Sequence, residues 1–435
     1  MGRDSDILVG IDLGTKKITV AVAERAGDNP DEAQIISIGQ SLSRGMRKGM
    51  ITNLEQAVNS VSDAIADAES MLSNVKISRA VVAFSAHDLE CRILHGMISL
   101  GRTPRAIQME DMSKVIETAL STADLPAGRC VINTIPIKYT LDGNGGIENP
   151  LDMTAIRLEV ELTALIISTS VAQNVVNCVE KTGIKVTGLI LKPLAEALGT
   201  LNSDDRAIGA TLIAIGGGTT SVSVFSEGHL IHAAEIPVGG DHITNDIAYV
   251  MKIPFVIAEK LKMEINVSPE EKVSGVIPVE IRGKTLQIDK AEAAEIIESR
   301  LDELFEDGVI PCLKQIQNAG LPTDVIGTGG VMLTPGIVKF AESYLNLPVR
   351  LGMPVLYQQM QHGRSDCRYS AVSGIVVYLM EKRKNPFAYI EAPMTNFKAA
   401  STGRRSSTIK GPKRPSQSFF KSAARMTREL FKELF

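Results

Sequence analysis

Cysteine is sparse in this sequence, and what there is does not pair. Cys91, Cys130, Cys178, Cys312 and Cys367 are scattered, odd in number and free of C-x-x-C spacing. That argues against a disulfide framework or a zinc knuckle and fits a reducing compartment. Net charge is small as well: 46 Lys and Arg face 50 Asp and Glu, leaving −4 at pH 7. Such a balance argues against a generally basic nucleic-acid binder. No apolar run reaches the eighteen or more residues that a membrane-crossing helix needs. Residues 1–6 are short and polar, so no signal peptide is expected ahead of the first strand. The six histidines form no catalytic grouping, and His229 and His232 read as surface or edge residues without a third ligand. No G-x-S-x-G elbow supports hydrolase chemistry.

What is present begins with Ile7-Leu8-Val9-Gly10-Ile11-Asp12-Leu13-Gly14-Thr15-Lys16-Lys17. It predicts a strand, a carboxylate, a glycine turn and a returning strand over 18–22. Glycine lets such a turn approach a phosphate closely, and its successive N–H groups make a concave anion site. Asp12 sits where it could hold a divalent cation through water. This is not a Walker loop, because no G-x-x-x-x-G-K-[ST] opens a helix. The same form returns from Leu212 through Gly216-Gly217-Gly218-Thr219-Thr220 to Phe225. Two such hairpins predict two related halves gripping a nucleotide between them.

At 435 residues the chain is expected to form two to four domains. Asn53 can cap a helix over 54–72. From residue 84 to 165 strand-like runs surround a helix at 109–121, reading as a small α+β unit inserted into the first half. Its glycine-rich stretch, 142–146, reads as an exposed loop. Gly239 and Gly240 stand at a helix start, which attracts phosphate. A strand and glycine turn, 324–331, suits close approach of a base or sugar. Order is expected to end near Asn385 and Pro386.

Residues 385–417 carry four prolines, Ser/Thr runs and Lys398, Arg404, Arg405, Lys410, Lys413 and Arg414. Such a segment cannot bury a core and is expected to be a disordered tether reaching roughly 30 Å. Residues 418–435 have helical period, at about 1.5 Å per residue a length of roughly 27 Å. Phe419, Phe420, Leu430, Phe431, Leu434 and Phe435 lie on or beside one face, and Arg425, Arg428 and Lys432 line the other. That pattern suits a helix lying on an anionic bilayer. A helix docked on its own protein or a partner is the alternative. Nucleic acid is disfavoured, since no aromatics interleave the basic residues.

These segments, in this order, resemble the nucleotide-binding fold of actin, heat-shock chaperones and sugar kinases. They are most similar to the bacterial cell-division actin homologue FtsA. The first hairpin, the phrase 139–160, Pro237-Val238-Gly239-Gly240-Asp241 with Thr244-Asn245-Asp246-Ile247, and the terminal helix carry that likeness. It implies an α/β actin-like fold: two ribonuclease-H-like lobes around a nucleotide cleft, with an inserted α+β subdomain and a C-terminal amphipathic helix. The first lobe would span 1–83, 166–202 and 353–385, and the insert 84–165. The second lobe would have its core in 203–235 and 303–352 and its outer part in 236–302. A linker, 386–417, and the membrane helix, 418–435, would follow.

The likeness further implies a filament-forming, ATP-binding protein that tethers FtsZ to the inner membrane at the septum and scaffolds other division proteins through the insert. Asp12 would lie near magnesium. Gly14, Thr15 and Lys17 would face phosphates, with Gly217, Gly218 and Thr219 as the second cradle and Gly240 nearby. Glu259 and Lys262 would meet ribose and adenine, and Gly329 and Gly330 would lie under the base. Arg300 resembles the basic position that meets the acidic FtsZ tail; a helix-surface ion pair with Glu303 is the alternative. Relatives usually carry acidic residues where this chain has Ala214, Ser221 and Lys192. Hydrolysis needs anions to hold magnesium and a group to orient water, so poor or absent hydrolysis is expected and no catalytic residue is assigned. Compensation by Asp241 or Asp246 is the other possibility. A sugar-kinase-like phosphotransferase, a heat-shock-like ATPase and a pilus-assembly actin homologue are the alternative functions.

Overall fold

The computed structural model describes residues 7–25, 33–72, 75–281, 283–316, 324–360 and 365–397. The tether's remainder and the predicted terminal helix, 398–435, lie outside them.

The first lobe opens with β1 (Ile7–Leu13), β2 (Lys17–Arg25) and β3 (Ala33–Leu42). A ribbon of β4 (Met46–Arg47) and β5 (Met50–Ile51) leads to α1 (Leu54–Ser70) and β6 (Arg79–Phe84). Asn53 caps α1 by accepting the Gln56 N–H at 3.1 Å. Ala57, Val61, Ala64, Ile65 and Ala68 recur at helical spacing and form its buried face.

The chain then leaves for the insert: β7 (Glu90–Ser99), β8 (Arg105–Ala106), α2 (Met109–Ser121), β9 (Arg129–Leu141), β10 (Asn144–Ile147), β11 (Thr154–Ala155) and β12 (Arg157–Ser168). It returns through α3 (Thr169–Glu180), β13 (Lys185–Leu191) and α4 (Lys192–Thr200).

Helix α5 (Ser203–Ile208) crosses to the second lobe, which opens with β14 (Ala210–Ile215), β15 (Thr220–Ser226) and β16 (His229–Ile236). There follow α6 (Gly240–Val250), α7 (Phe255–Glu264), the ribbon β17 (Val276–Ile281) and β18 (Lys284–Asp289), and α8 (Lys290–Glu303). A wide π turn, Leu304–Val309, and α9 (Ile310–Lys314) continue α8. The lobe ends with β19 (Val325–Thr328), α10 (Ile337–Leu345) and β20 (Val349–Leu351). Helix α11 (Ser370–Lys384) packs back onto the first lobe, followed by β21 (Ile390–Glu391).

The two main sheets share one topology. The first runs β13-β6-β1-β2-β3 and the second β20-β19-β14-β15-β16. In each, three antiparallel strands are extended by two parallel ones. Strand β1 is buried along nearly its whole length, which fits its apolar run with Asp12 as the one charged residue within it. Three apolar clusters form the core: one centred on the first lobe, which also takes in Leu212 and Phe225 of the second lobe and Ile132 of the insert, one in the second lobe and one in the insert.

The insert is a sheet, β10-β9-β12-β7, covered by α2. Its glycine-rich stretch closes the β9–β10 hairpin, and the Asp142 carboxylate accepts the Arg157 and Ile156 N–H groups at 2.8 and 3.0 Å.

One expectation is corrected here. Order does not stop near Asn385 and Pro386. Strand β21 pairs with β9, and Tyr389 and Phe397 are buried. The Tyr389 ring packs on Tyr378 at 4.9 Å, while the Glu391 carboxylate takes Lys382 at 2.8 Å and the Tyr378 hydroxyl. Composition alone gave these residues no partner; the exposed side of β9 and the end of α11 supply one.

Candidate nucleotide cleft

The two glycine hairpins meet tip to tip between the lobes. In the first, a Cβ on Gly14 would lie 2.4 Å from the Lys17 carbonyl, so only glycine closes this turn. In the second, Gly216 donates to the Thr219 carbonyl at 2.9 Å. That turn is fastened to the start of α6, with Gly240 and Asp241 donating to the Gly216 and Gly217 carbonyls at 2.9 and 2.7 Å. A side chain on Gly218 would strike Thr15, 2.5 Å from its hydroxyl.

Behind the tips lies a cavity of about 660 Å³, within the size range of ligand sites. Of the residues singled out in the sequence, Asp12, Gly14, Thr15, Lys17, Gly217, Gly240, Glu259, Lys262, Gly329 and Gly330 line it. Gly218 and Thr219 do not: Gly218 packs against Thr15, and the Thr219 hydroxyl lies 3.2 Å from that of Ser85. Gly329 has φ +94°, and a Cβ there would press within 2.5 Å of the Ile215 carbonyl. Arg300 lies elsewhere, on α8, with its Nε 2.6 Å from Asp246 and a second bond to Glu303. The ion pair with Glu303, the alternative reading of Arg300, is present, and Asp246 is a further partner. Phe419, Phe420, Arg425, Arg428, Leu430, Phe431, Lys432, Leu434 and Phe435 lie outside the described residues.

Four lysines shape the cleft's charge. Lys16, from the first hairpin, pairs across the cleft with Glu259 of α7. Lys262 bonds Glu259 at 2.7 Å, the Thr244 hydroxyl at 2.9 Å and the Gly240 carbonyl at 3.1 Å. Burial opposes ionisation of Glu259, but Lys262, Lys16 and Thr244 outweigh it and hold its pKa at about 2. Lys17 lies 3.6 Å above the Tyr369 ring, and burial, against the pull of Asp12, lowers its pKa to about 8.

The fourth, Lys192, opens α4, and its Nζ is 3.0 Å from the Asp12 carboxylate. Burial disfavours its charge, yet Asp12 and Glu196 prevail and raise its pKa above the ordinary lysine value. Glu196, one helical turn on, accepts from the Ser221 hydroxyl. Burial, partly offset by Lys192 and Ser221, lifts its pKa to about 7. Glu235, opposite Ser221 on β16, is pushed to about 8 by burial and by Glu196. Neither glutamate was singled out from the sequence. Glu196 had a local signal, its i+4 spacing from Lys192 on one helix face; Glu235 had none, because only strand register brings it here.

Register also shows what the second hairpin lacks. Asp12 pairs with Thr19 one step below the first turn, and Ala214 pairs with Ser221 at the matching step of the second. Ala214 therefore stands where a second carboxylate would mirror Asp12. Asp246 is held by Arg300 and does not line the cavity. Asp241 lies against Gly217, and among the described residues its Oδ1 has no hydrogen-bond partner. A resident magnesium ion at Asp12 does not fit this set. Magnesium is usually held by one or two carboxylates plus phosphate and water. Here Asp12, the first hairpin's carboxylate, is already paired with the Lys192 ammonium. A divalent ion about 4 Å from that ammonium would be repelled by about 8 kcal/mol at an effective dielectric of about 20.

Comparison with known proteins follows the same lines. A family model described as cell division protein FtsA matches residues 211–374, and one described as the SHS2 domain inserted in FTSA matches 86–166. Cell division protein FtsA of Borreliella burgdorferi is 34% identical over 384 residues, 87% of this chain and 92% of that protein. The chain belongs to the FtsA family. FtsA of Pseudomonas aeruginosa is 30% identical over 388 residues, 88% of this chain and 91% of its own length. Among solved structures, a PilM-PilN type IV pilus biogenesis complex gives a TM-score of 0.60 at 13% identity, covering 85% of this chain and 97% of that one. MreB 5 of Spiroplasma citri bound to AMPPNP gives 0.51 at 14% identity, covering 88% and 98%. Those likenesses establish the actin-like fold. In FtsA terms, the inserted SHS2 unit is the sheet β10-β9-β12-β7 with α2.

Proposed function

We propose that this FtsA-family chain binds ATP between its lobes and assembles into filaments that tether FtsZ to the cytoplasmic face of the inner membrane at the septum. One observation carries the reading: two hairpins of matching register meet tip to tip beside a lysine-rich cavity of about 660 Å³. Backbone N–H groups in such turns favour phosphate, and that capacity survives the loss of acidic side chains at 192, 214 and 221. ATP then acts as an assembly ligand, hydrolysed slowly or not at all, because Ala214 and Ser221 offer no carboxylate for metal or water. The filament docks the FtsZ C-terminal tail near Arg300, where an acidic peptide exchanges with Asp246 and Glu303. The insert receives other division proteins. Residues 418–435 bind anionic lipid modestly alone and firmly in filament multiples. A pilus-assembly role is not favoured, given the FtsA match over the insert.

Two measurements test it together. Calorimetric titration of the full chain should show ATP binding. Co-sedimentation with anionic liposomes should be lost when 418–435 are deleted. Absence of ATP binding, or unchanged pelleting after the deletion, overturns the corresponding half.

A further inference from the structure

We infer that the Lys192 ammonium serves as a built-in counter-cation for the bound polyphosphate, so that a nucleoside triphosphate enters this cleft without requiring a divalent metal. This rests on the nucleotide reading above and concerns how that site balances charge.

Position comes first. Lys192 Nζ lies 3.6 Å from where a Gly14 Cβ would stand, directly behind the first hairpin turn. It lines the same cavity as Gly14, Gly217 and Gly240. Its side chain is 14% exposed, so the charge is fixed rather than waving in solvent. The ammonium is anchored from two sides, by Asp12 at 3.0 Å and by the nearby Glu196 carboxyl, which is itself held by Ser221.

Charge comes second. A triphosphate needs compensating cations, commonly supplied in part by magnesium. The mirrored step of the second hairpin is Ala214 opposite Ser221, so that hairpin offers no carboxylate to match Asp12. Along the cavity wall Lys16, Lys17, Lys192, Lys262 and Arg368 outnumber Asp12, Glu196 and Glu259. An ammonium can donate to phosphate oxygens as a compact point charge.

The test uses the full chain and ATP itself, titrated calorimetrically with excess EDTA and again with magnesium chloride. The expected result is an affinity that changes by less than about threefold between the two. Lys192→Met should make binding metal-dependent, weakened by about tenfold or more in EDTA and largely restored by magnesium. Lys192→Arg should remain metal-independent. A loss of about thirtyfold or more in EDTA for the unaltered chain overturns the inference without recourse to any variant. So does a folded Lys192→Met chain that tolerates EDTA as well as the parent. No binding under either condition instead removes the nucleotide reading, and this inference with it.

Discussion

Glu235 faces Ser221 across the β15–β16 pair, buried and beside Glu196. Its carboxyl ionises near 4.5 when the chain is unfolded, but in the fold it keeps its proton up to about 8. Between those values the folded state holds the extra proton, so stability falls as pH rises. Glu235→Gln should therefore raise the melting temperature at about pH 8.5, by an amount on the order of 2–4 kcal/mol in stability, and change little near pH 5. Thermal unfolding of both proteins across that range checks it; an equal effect at both ends would count against the buried acid. At this scale the sequence was informative where chemistry is local. Asp12, Gly14 and Lys17 belong to one hairpin and could be read from its spacing. Glu235 could not, since its burial depends on which strands neighbour each other.

Helices α4 and α11 cross almost backbone to backbone. A Cβ on Gly374 would lie 1.6 Å from the Ala195 carbonyl, and one on Gly199 would lie 1.8 Å from the Ser370 carbonyl. Such contact leaves no room for a side chain, so the crossing depends on two glycines from distant parts of the chain. Gly374→Val should cost about 3 kcal/mol or more, read as a lowered urea midpoint, with Lys192 and Glu196 displaced because α4 carries both. A midpoint unchanged from the parent would mean that the crossing can spread freely. Nothing local in the sequence marks this crossing, because Gly199 and Gly374 stand far apart in the chain. The hairpin pair shows the opposite case: its repeat was visible in the sequence, and the equal register of β1–β2 and β14–β15 follows from it. The stretch 386–397 was misread because its proline and polar content looks like tether, whereas the open side of β9 gives Ile390 and Glu391 a strand to join.

At the scale of the whole molecule, the lobes are bridged over the cavity mouth by Lys16 and Glu259. Lys16 is 44% exposed, so the pair contributes at most about 1 kcal/mol to stability. Its larger effect concerns access. Lys16→Ala should speed release of a fluorescent ATP analogue several-fold in stopped-flow, while the melting temperature stays within a few degrees of the parent. Unaltered release would show that the bridge does not gate the cleft. The two-lobed plan was legible because it is written twice in the chain; the bridge was not, because Lys16 and Glu259 are 243 residues apart.

The edge strand β21 has a mechanical corollary. Everything after Phe397 departs from a segment stitched to the insert's sheet rather than from the end of α11. Any tug on that trailing end therefore loads the Met394–Asn396 turn and the buried Phe397, both packed on the first lobe, before it reaches the two-residue seam against β9.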